Sequence, residues 1–403
     1  MSPLLPAKRH CTRAANPSAS EFSACGVSAM DFKVMTYNVE EYWHGFDPGP
    51  YRGLHRDKMS ELLKQGTLQG AHICEYFARL KANVFRNISV IRSMIEQSSP
   101  DVVCLEEHSS GLERSTPYLE KCGFKEVLTD EVLFSHDDIV KALLPDGYGI
   151  FMTGTGESPC KFSELANAVA WKKDKFELVD EQSQVGVVTT EKHKATPCGE
   201  SHYTPRSAAC VCLKPLGVNA SNIVICATHL MGGRFEDRNW AVDCEFGVNE
   251  RVNQVVAIQD AIRENFEKNG EVPSVIAGDF NVMKKGFTEG PFVKDTMKYV
   301  IGDTMLYPQH QLEKDYREKY VPYQAAVHDT LEALGYTVAY GREDDVAEMK
   351  TSKTAGCVDW IYTKGLTSKK DEQVLISCVP GTNMWVSDHN AVVVTLTLSA
   401  IQE

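Results

Sequence analysis

Short apolar runs alternate with longer stretches of helical periodicity between residues 31 and 398. Residues 31–39 form the first apolar run and predict a strand that ends in a polar residue. Residues 56–80 are mainly helical in pattern. The helical spacing then continues through Val84, Ile88, Ile91 and Ile95 until Pro100 closes the segment. The chain therefore begins as strand, helix and helix.

Further runs have the composition of buried strands. They lie at 101–105, 148–153, 168–172, 208–213, 223–228, 275–279, 358–362 and 391–398. Residues 176–179 are predicted to pair with 168–172 as a hairpin, and a long helix is predicted over 249–269. Some successive strands are joined by connections too short for a parallel crossover, which favours mixed sheets over a purely parallel sheet.

Residues 31–403 are predicted to form a single α/β domain with insertions. Four stretches lack a clear period and are expected to be insertions near 129–147, 187–205, 231–248 and 283–325. Residues 1–30 differ in composition, since the first 20 carry Lys8, Arg9 and Arg13 without an acidic residue. They indicate a disordered tail or a weakly transit-like segment.

Composition narrows the class of protein. With 43% hydrophobic and 24% charged residues, the 403-residue chain is typical of a globular protein. No run reaches the about 18 to 20 apolar residues that span a bilayer, so an integral membrane protein is excluded. The net charge of −13 argues against broad clamping of a nucleic-acid backbone. It leaves phosphorylated substrates open, because divalent cations reverse the local charge of an acidic site.

The cysteines indicate a reducing compartment. There are 13, an odd number, and they form no Cys-x-x-Cys pair, which argues against structural zinc. Four of them lie in apolar strand-like runs, where free thiols act as small hydrophobes: Cys104, Cys210, Cys212 and Cys226. We expect an intracellular protein, with the cytoplasm favoured and an organelle or the nucleus as alternatives.

Polar residues suited to phosphoryl chemistry follow many of the predicted strands. They are Asn38, Glu107, His229, Asp279 with Asn281, and Asp388 with His389, while Asp359 lies within a strand. Each has an ordinary structural alternative, such as a turn residue, a helix start, a core histidine or an ion-pair partner. Catalytic groups gather where strand ends meet loops, so their joint occurrence favours a site. In an extended Asp279-Phe280-Asn281, the carboxylate and the carboxamide project to the same side.

The ordered motifs carry a family resemblance. They are Tyr37-Asn38, Leu105-Glu106-Glu107, Thr228-His229-Leu230, Gly278-Asp279-Phe280-Asn281, Val358-Asp359-Trp360-Ile361 and Ser387-Asp388-His389. This set resembles the endonuclease/exonuclease/phosphatase superfamily with the DNase I-like fold. Arg206, Arg251 and Gln254 support the resemblance. Glu106 replaces the usual Gln, and Asn390 replaces the usual apolar residue or Pro. The resemblance implies a four-layered α/β sandwich, with two mixed sheets face to face and helices outside.

The resemblance also implies a metal-dependent phosphoesterase. Glu107 would bind Mg²⁺ or Mn²⁺, which prefer carboxylate oxygens. Asp388 is the candidate second carboxylate, and Asn38 would orient the metal shell or the phosphate. Arg206 is expected at the substrate phosphate. Whether one or two metal ions take part stays open.

The remaining motif residues would carry the chemistry. Asp279 would align or deprotonate the attacking water, and Asn281 would donate to a phosphate oxygen. Asp359 would fix the tautomer of His389 and raise its pKa, while His229 would donate to the phosphoryl group from the other side. Either Asp279 or His389 could be the base.

The substrate is less constrained than the chemistry. Residues 34–39 and 168–179 are similar to the deadenylase and nocturnin branch, which favours RNA, DNA or a nucleotide. The Trp-Cys-Asp-Arg element of inositol-polyphosphate 5-phosphatases is absent, whereas Glu40 matches an acidic position of tyrosyl-DNA phosphodiesterases. A lipid or inositol phosphate, or a non-catalytic binding protein, is the alternative. A monomer is expected. Tyr42, Trp240 and Trp385 are candidates for stacking on a base, with a packed surface aromatic as the alternative for each.

Overall fold

Two mixed β-sheets packed face to face make the centre of the molecule in a computed structural model. The structure describes residues 29–51, 56–157, 164–190, 206–231, 240–268, 270–282, 321–340, 351, 357–376 and 386–401. Within these residues each sheet has seven strands. Residues 1–28 of the predicted tail and residues 283–320 of the predicted insertion at 283–325 lie outside the described residues, whereas Met30 belongs to the first strand.

The elements follow the predicted alternation of strands and helices. The strands are β1 Met30–Asn38, β2 Val102–Ser109, β3 Tyr148–Glu157, β4 Glu164–Lys172, β5 Phe176–Leu178, β6 Gln184–Thr190, β7 Arg206–Pro215, β8 Ile223–His229, β9 Ser274–Asp279, β10 Thr337–Val338, β11 Asp359–Lys364, β12 Thr367–Ser368, β13 Val374–Ile376 and β14 Ala391–Leu398. The helices are α1 Arg56–Lys64, α2 Gly70–Ser98, α3 Thr116–Lys121, α4 His136–Leu143, α5 Trp240–Phe266 and α6 Val321–Ala333.

Each sheet places two parallel strands side by side. The first sheet runs β12-β14-β1-β2-β4-β3, with β13 also on β14, and the second runs β10-β11-β9-β8-β7-β5, with β6 also on β7. The pair β1–β2 is parallel and joined through α2, and the pair β8–β9 is parallel and joined through α5. Parallel neighbours end at the same sheet edge. The polar residues after β1 and β2, and those after β8 and β9, are therefore brought together.

Alternation along the strands separates two apolar layers. Phe32 and Val34 of β1 face the second sheet, whereas Met35 and Tyr37 face the helices. The outer face of the first sheet is covered by α2 and α4, and α5 and α6 add apolar residues to the larger cluster on the second sheet. The result is the predicted four-layered DNase I-like sandwich.

The predicted hairpin between 168–172 and 176–179 is wrong. Both edges of β4 are occupied, by β2 on one side and β3 on the other. The chain therefore crosses at Lys173–Lys175, and β5 pairs with β7 of the second sheet, with Phe176 opposite Pro215. After β2, a 3-10 turn at Glu113–Ser115 leads directly into α3. The stretch at 129–147 contains α4.

The thiols of Cys210 and Cys226 do not behave as expected. These residues lie directly opposite one another on β7 and β8 and form a disulfide. The prediction that both are free is wrong, since antiparallel pairing brings their buried side chains together. Cys104 and Cys212 are free and buried, as predicted.

Candidate active site

The ends of four strands, two from each sheet, lie together at one edge of the sandwich. Asn38 ends β1, Glu107 lies near the end of β2, and His229 and Asp279 end β8 and β9. The Asn38 Nδ2 donates to Glu107 Oε1 at 3.3 Å and to Asp279 Oδ2 at 3.2 Å. One buried amide therefore ties a carboxylate of the first sheet to a carboxylate of the second.

Local backbone distortions set the positions of the side chains of Glu107 and Asp279. Glu107 has φ of +54° at a register shift of β2 against β4 between Leu105 and His108. This bulge leaves the Glu107 carboxylate at the sheet edge with 22% of its side chain exposed. Asn281 has φ of +51°, and its backbone N–H donates to Asp279 Oδ1 at 2.8 Å. The Asx-turn alternative is thus correct as local structure, and it coexists with the site.

Gly278 allows β9 to approach β8 closely. Its φ is +148°, and a Cβ atom built there would lie 1.8 Å from the Thr228 carbonyl oxygen. Thr228 pairs with Gly278, and His229 therefore pairs with Asp279. The glycine is required because a side chain at 278 would separate the two strands that carry these groups.

Asp279 is the centre of the cluster. It is 2% exposed, and three side-chain nitrogens surround its Oδ2: Asn38 Nδ2 at 3.2 Å, His229 Nε2 at 3.5 Å and His389 Nε2 at 3.8 Å. Burial raises the pKa of Asp279 to about 7, with Asp359 adding to the rise and His389 opposing it. A carboxylate held among N–H donors suits the handling of a water proton.

His389 is paired with a buried carboxylate. Its Nδ1 lies 2.8 Å from Asp359 Oδ2 and 3.1 Å from Oδ1. Asp359 is fully buried, and Thr351 Oγ1 accepts its backbone N–H at 3.0 Å. Burial by itself lowers the pKa of His389. The charges of Asp359, Asp279 and Asp388 outweigh it, and the pKa is well above 6.5. These carboxylates favour the protonated form of the imidazole.

The segment that carries Asp388 and His389 is anchored on the end of β1. The Ser387 hydroxyl donates to the Asn38 carbonyl at 2.7 Å, and the Asp388 N–H donates to Glu40 Oε2 at 3.1 Å. Glu40 also contacts His44 Nδ1 at 2.7 Å. The acidic residue singled out in the sequence thus acts as an anchor. Thr351 was not predicted, because a lone Thr in a polar stretch carries no signal of its tertiary role.

Helix α5 fixes the chain that leaves β8. Gln254 Oε1 accepts the Met231 N–H at 2.9 Å, and Arg251 Nη1 donates to the Met231 carbonyl at 2.9 Å. Asn281 Nδ2 donates to the Leu230 carbonyl at 3.0 Å. These bonds hold the turn after His229. They explain why Arg251 and Gln254 accompany the motifs, and they show that one N–H of the Asn281 amide serves the protein itself.

The cluster fits a hard divalent cation. Asp279, Asp359 and His389 offer ligand atoms within 4.8 Å of one another. Two members of this group, Asp359 and His389, are already paired with each other through His389 Nδ1. Glu107, which lies outside the group, is therefore the better candidate metal ligand. Burial raises the pKa of Glu107, so a neighbouring positive charge would be needed to stabilise its ionised form. Asp388 has 34% of its side chain exposed at the same edge. Oxygen donors of this kind suit Mg²⁺ or Mn²⁺.

One stacking candidate is wrong. Tyr42 is fully buried, and its hydroxyl contacts His108 Nδ1 at 2.5 Å, so its ring is not available to a base. Trp385 and the side chain of Trp240 lie outside the described residues. The stacking role of both stays a prediction.

Comparison with known proteins decides the family. The model of the "Endonuclease/Exonuclease/phosphatase family" matches residues 82–389. The chain belongs to this family. It is accordingly a phosphoric ester hydrolase, and its two sheets are those the family resemblance implied. No curated protein sequence matches the chain.

Solved structures similar to this family member share little sequence with it. An endonuclease/exonuclease/phosphatase family protein from Bacteroides thetaiotaomicron has a TM-score of 0.48 at 14% identity, covering 92% of this chain and 96% of its own. The mannosyl-6-phosphatase of the same organism has 0.46 at 14%, covering 91% and 99%. The catalytic domain of human Nocturnin has 0.41 at 14%, covering 92% and 94%. No helix among the described residues is long and apolar enough to cross a membrane.

Proposed function

We propose that this family member is a Mg²⁺-dependent phosphodiesterase that acts on RNA, DNA or a nucleotide. The observation that carries the proposal is the convergence of Asn38, His229 and His389 on one oxygen of the buried Asp279, with Glu107 beside it. The preference for a nucleotide rests on the similarity of residues 34–39 and 168–179 to the deadenylase and nocturnin branch.

Asp279 aligns the attacking water and accepts its proton. The Asn281 backbone N–H holds one oxygen of Asp279, which leaves the other, Oδ2, directed at the cluster. As the water oxygen bonds to phosphorus, the ester P–O bond on the opposite side breaks. The remaining N–H of the Asn281 amide donates to a phosphate oxygen.

The two histidines supply donors to the phosphoryl oxygens. His389 presents Nε2–H as part of a cation, because Asp359 holds its other nitrogen. His229 presents Nε2 on the same side of Asp279. Donors that are already in place where charge develops stabilise the transition state without reorganisation.

Glu107, with Asp388, would hold the divalent ion, and Asn38 would orient the Glu107 carboxylate. When bound, the ion would neutralise charge on the phosphate and lower the pKa of a coordinated water. The charge of the ion would also reduce the local repulsion between the acidic site and an anionic substrate, in a chain whose net charge is −13.

The experiment measures hydrolysis of bis-p-nitrophenyl phosphate by the full chain with Mg²⁺, with Mn²⁺ and with EDTA. Asp279→Asn is compared with the exposed control Asp260→Asn, whose side chain is 46% exposed. We expect EDTA to abolish turnover and Asp279→Asn to lower kcat about 10²- to 10⁴-fold. The control should keep full activity.

A substrate panel then tests the class. It contains RNA, single- and double-stranded DNA, NADPH, inositol phosphates and sphingomyelin. Highest kcat/KM on a nucleotide-containing substrate supports the proposal, and highest kcat/KM on a lipid or inositol phosphate overturns the substrate class. Silence on all substrates with every metal overturns the catalytic proposal in favour of a binding protein. Full activity of Asp279→Asn overturns the role given to Asp279 and leaves the protein an enzyme.

A further inference from the structure

Arg206 contacts His229 directly. Arg206 begins β7, which pairs with β8, and its Nη1 lies 2.9 Å from His229 Nδ1. A guanidinium carries N–H donors and no acceptor, and it stays protonated in proteins. The lone pair of His229 Nδ1 must therefore accept this hydrogen bond.

This contact settles where the imidazole proton lies. If Nδ1 carried a hydrogen, two N–H groups would oppose each other across 2.9 Å in a buried setting. A neutral imidazole with an accepting Nδ1 has its hydrogen on Nε2. That nitrogen lies 3.5 Å from Asp279 Oδ2 and faces the reacting centre.

The two histidines of the site therefore have different nearest partners at Nδ1. His389 Nδ1 faces the Asp359 carboxylate, whereas His229 Nδ1 faces the Arg206 guanidinium. Glu107 Oε1 lies farther from His229 Nδ1, at 3.6 Å. Because the guanidinium is the nearer partner and can only donate, Nδ1 of His229 accepts and Nε2 carries the hydrogen.

Arg206 lies against His229 with part of its guanidinium buried. Its Nε is buried and has no hydrogen-bond partner within the part of the chain that the structure describes. The role expected from the sequence, contact with the substrate phosphate, leaves the bond to His229 Nδ1 unexplained. The observed geometry uses Nη1 on the protein itself.

We propose that Arg206 is a positioning residue that holds His229 in the neutral Nε2–H form, so that this hydrogen points at the phosphoryl group. The second half of this statement rests on the proposed phosphodiesterase function, and the first half does not. The tautomer can therefore be tested separately from activity.

The decisive measurement is the ¹⁵N NMR tautomer pattern of the histidines at pH 7.5, with His229 assigned by the signal lost in His229→Gln. We expect wild type and Arg206→Lys, which keeps a donor, to show the Nε2–H form. Arg206→Met should show a mixture of tautomers. The exposed control Arg263→Met, at 64% side-chain exposure, should match wild type. An imidazolium or an Nδ1–H form in wild type, or an unchanged pattern in Arg206→Met, overturns the proposal.

Kinetics separate positioning from direct phosphate binding. Arg206→Met should lower kcat about 10- to 100-fold with KM unchanged, because part of the His229 population still presents the donor; complete loss of one donor costs about 10²- to 10³-fold. Arg206→Lys should recover most of kcat. A rise in KM at constant kcat would show phosphate binding and overturn the role. An Nε2–H tautomer in a protein that hydrolyses nothing would support the Arg206–His229 arrangement while the proposed function failed.

Discussion

Substitution of Gly278 by Ala should be far more damaging than its size suggests. The added Cβ would lie 1.8 Å from the Thr228 oxygen and 2.8 Å from its carbonyl carbon, and both are backbone atoms that cannot rotate away. The φ of +148° adds strain for any residue with a side chain. Strands β8 and β9 must separate around the pair Thr228–Gly278.

The magnitude follows from two contributions. A non-glycine residue in this backbone region costs about 1 to 3 kcal/mol. Separating the strands weakens about two ladder hydrogen bonds, at about 1 kcal/mol each. The free energy of unfolding should therefore fall by about 3 to 5 kcal/mol, a large part of the about 5 to 15 kcal/mol typical of a domain.

Gly270→Ala is the matched control. Gly270 has φ of +127°, and a Cβ atom added there would have no heavy atom within 4 Å. It carries the backbone strain without the clash, so urea unfolding followed by tryptophan fluorescence should separate the two variants by about 2 kcal/mol or more. The folded fraction of Gly278→Ala should also lose about 10²-fold in kcat, because Asp279 moves. Equal unfolding free energies for the two variants would refute the close approach of β8 and β9.

Two further substitutions test the buried charges of the site. Asp359→Asn keeps the shape but removes the charge that holds His389 cationic, so kcat should fall about 10²- to 10⁴-fold. A pH–rate profile should then show the His389-dependent activity lost as pH rises through the ordinary imidazole pKa of about 6.5, and a profile identical to wild type would contradict the pairing. Glu106 is fully buried, and burial raises its pKa well above that of an exposed Glu, with Asp359 contributing. Its contribution to stability is therefore present below the unfolded pKa of about 4.3 and is lost as pH rises through the folded pKa. Unfolding free energies at pH 4.5 and pH 8 should show Glu106→Gln gaining on wild type at the higher pH, whereas a constant difference would argue against a buried, protonated Glu106.

Local sequence determined the strand set and the chemistry at its ends. The alternation in β1 indicates a buried strand, and a polar residue at its end indicates a loop or a site, because both are short-range properties of the chain. Asn38, Glu107, His229, Asp279 and His389 were predicted from their places after strands, and Asp359 from its place in the ordered motifs. The structure brings all six together at one edge. The Gly-Asp-x-Asn element was first compatible with an Asx-turn, and it forms one while also holding Asp279.

Tertiary structure decided which partner each of these elements meets. An apolar pattern shows that β5 is a strand, but the occupied edges of β4 send it to the other sheet. Tertiary structure likewise decided three further features: the pairing of Cys210 with Cys226, the burial of Tyr42 and the bond from Arg206 to His229. Periodicity indicates whether a side chain is buried, whereas its neighbour depends on strand order and register between residues far apart in the chain. The positions of the candidate catalytic groups can thus be predicted from the sequence, whereas their geometry arises only when the two sheets pack together.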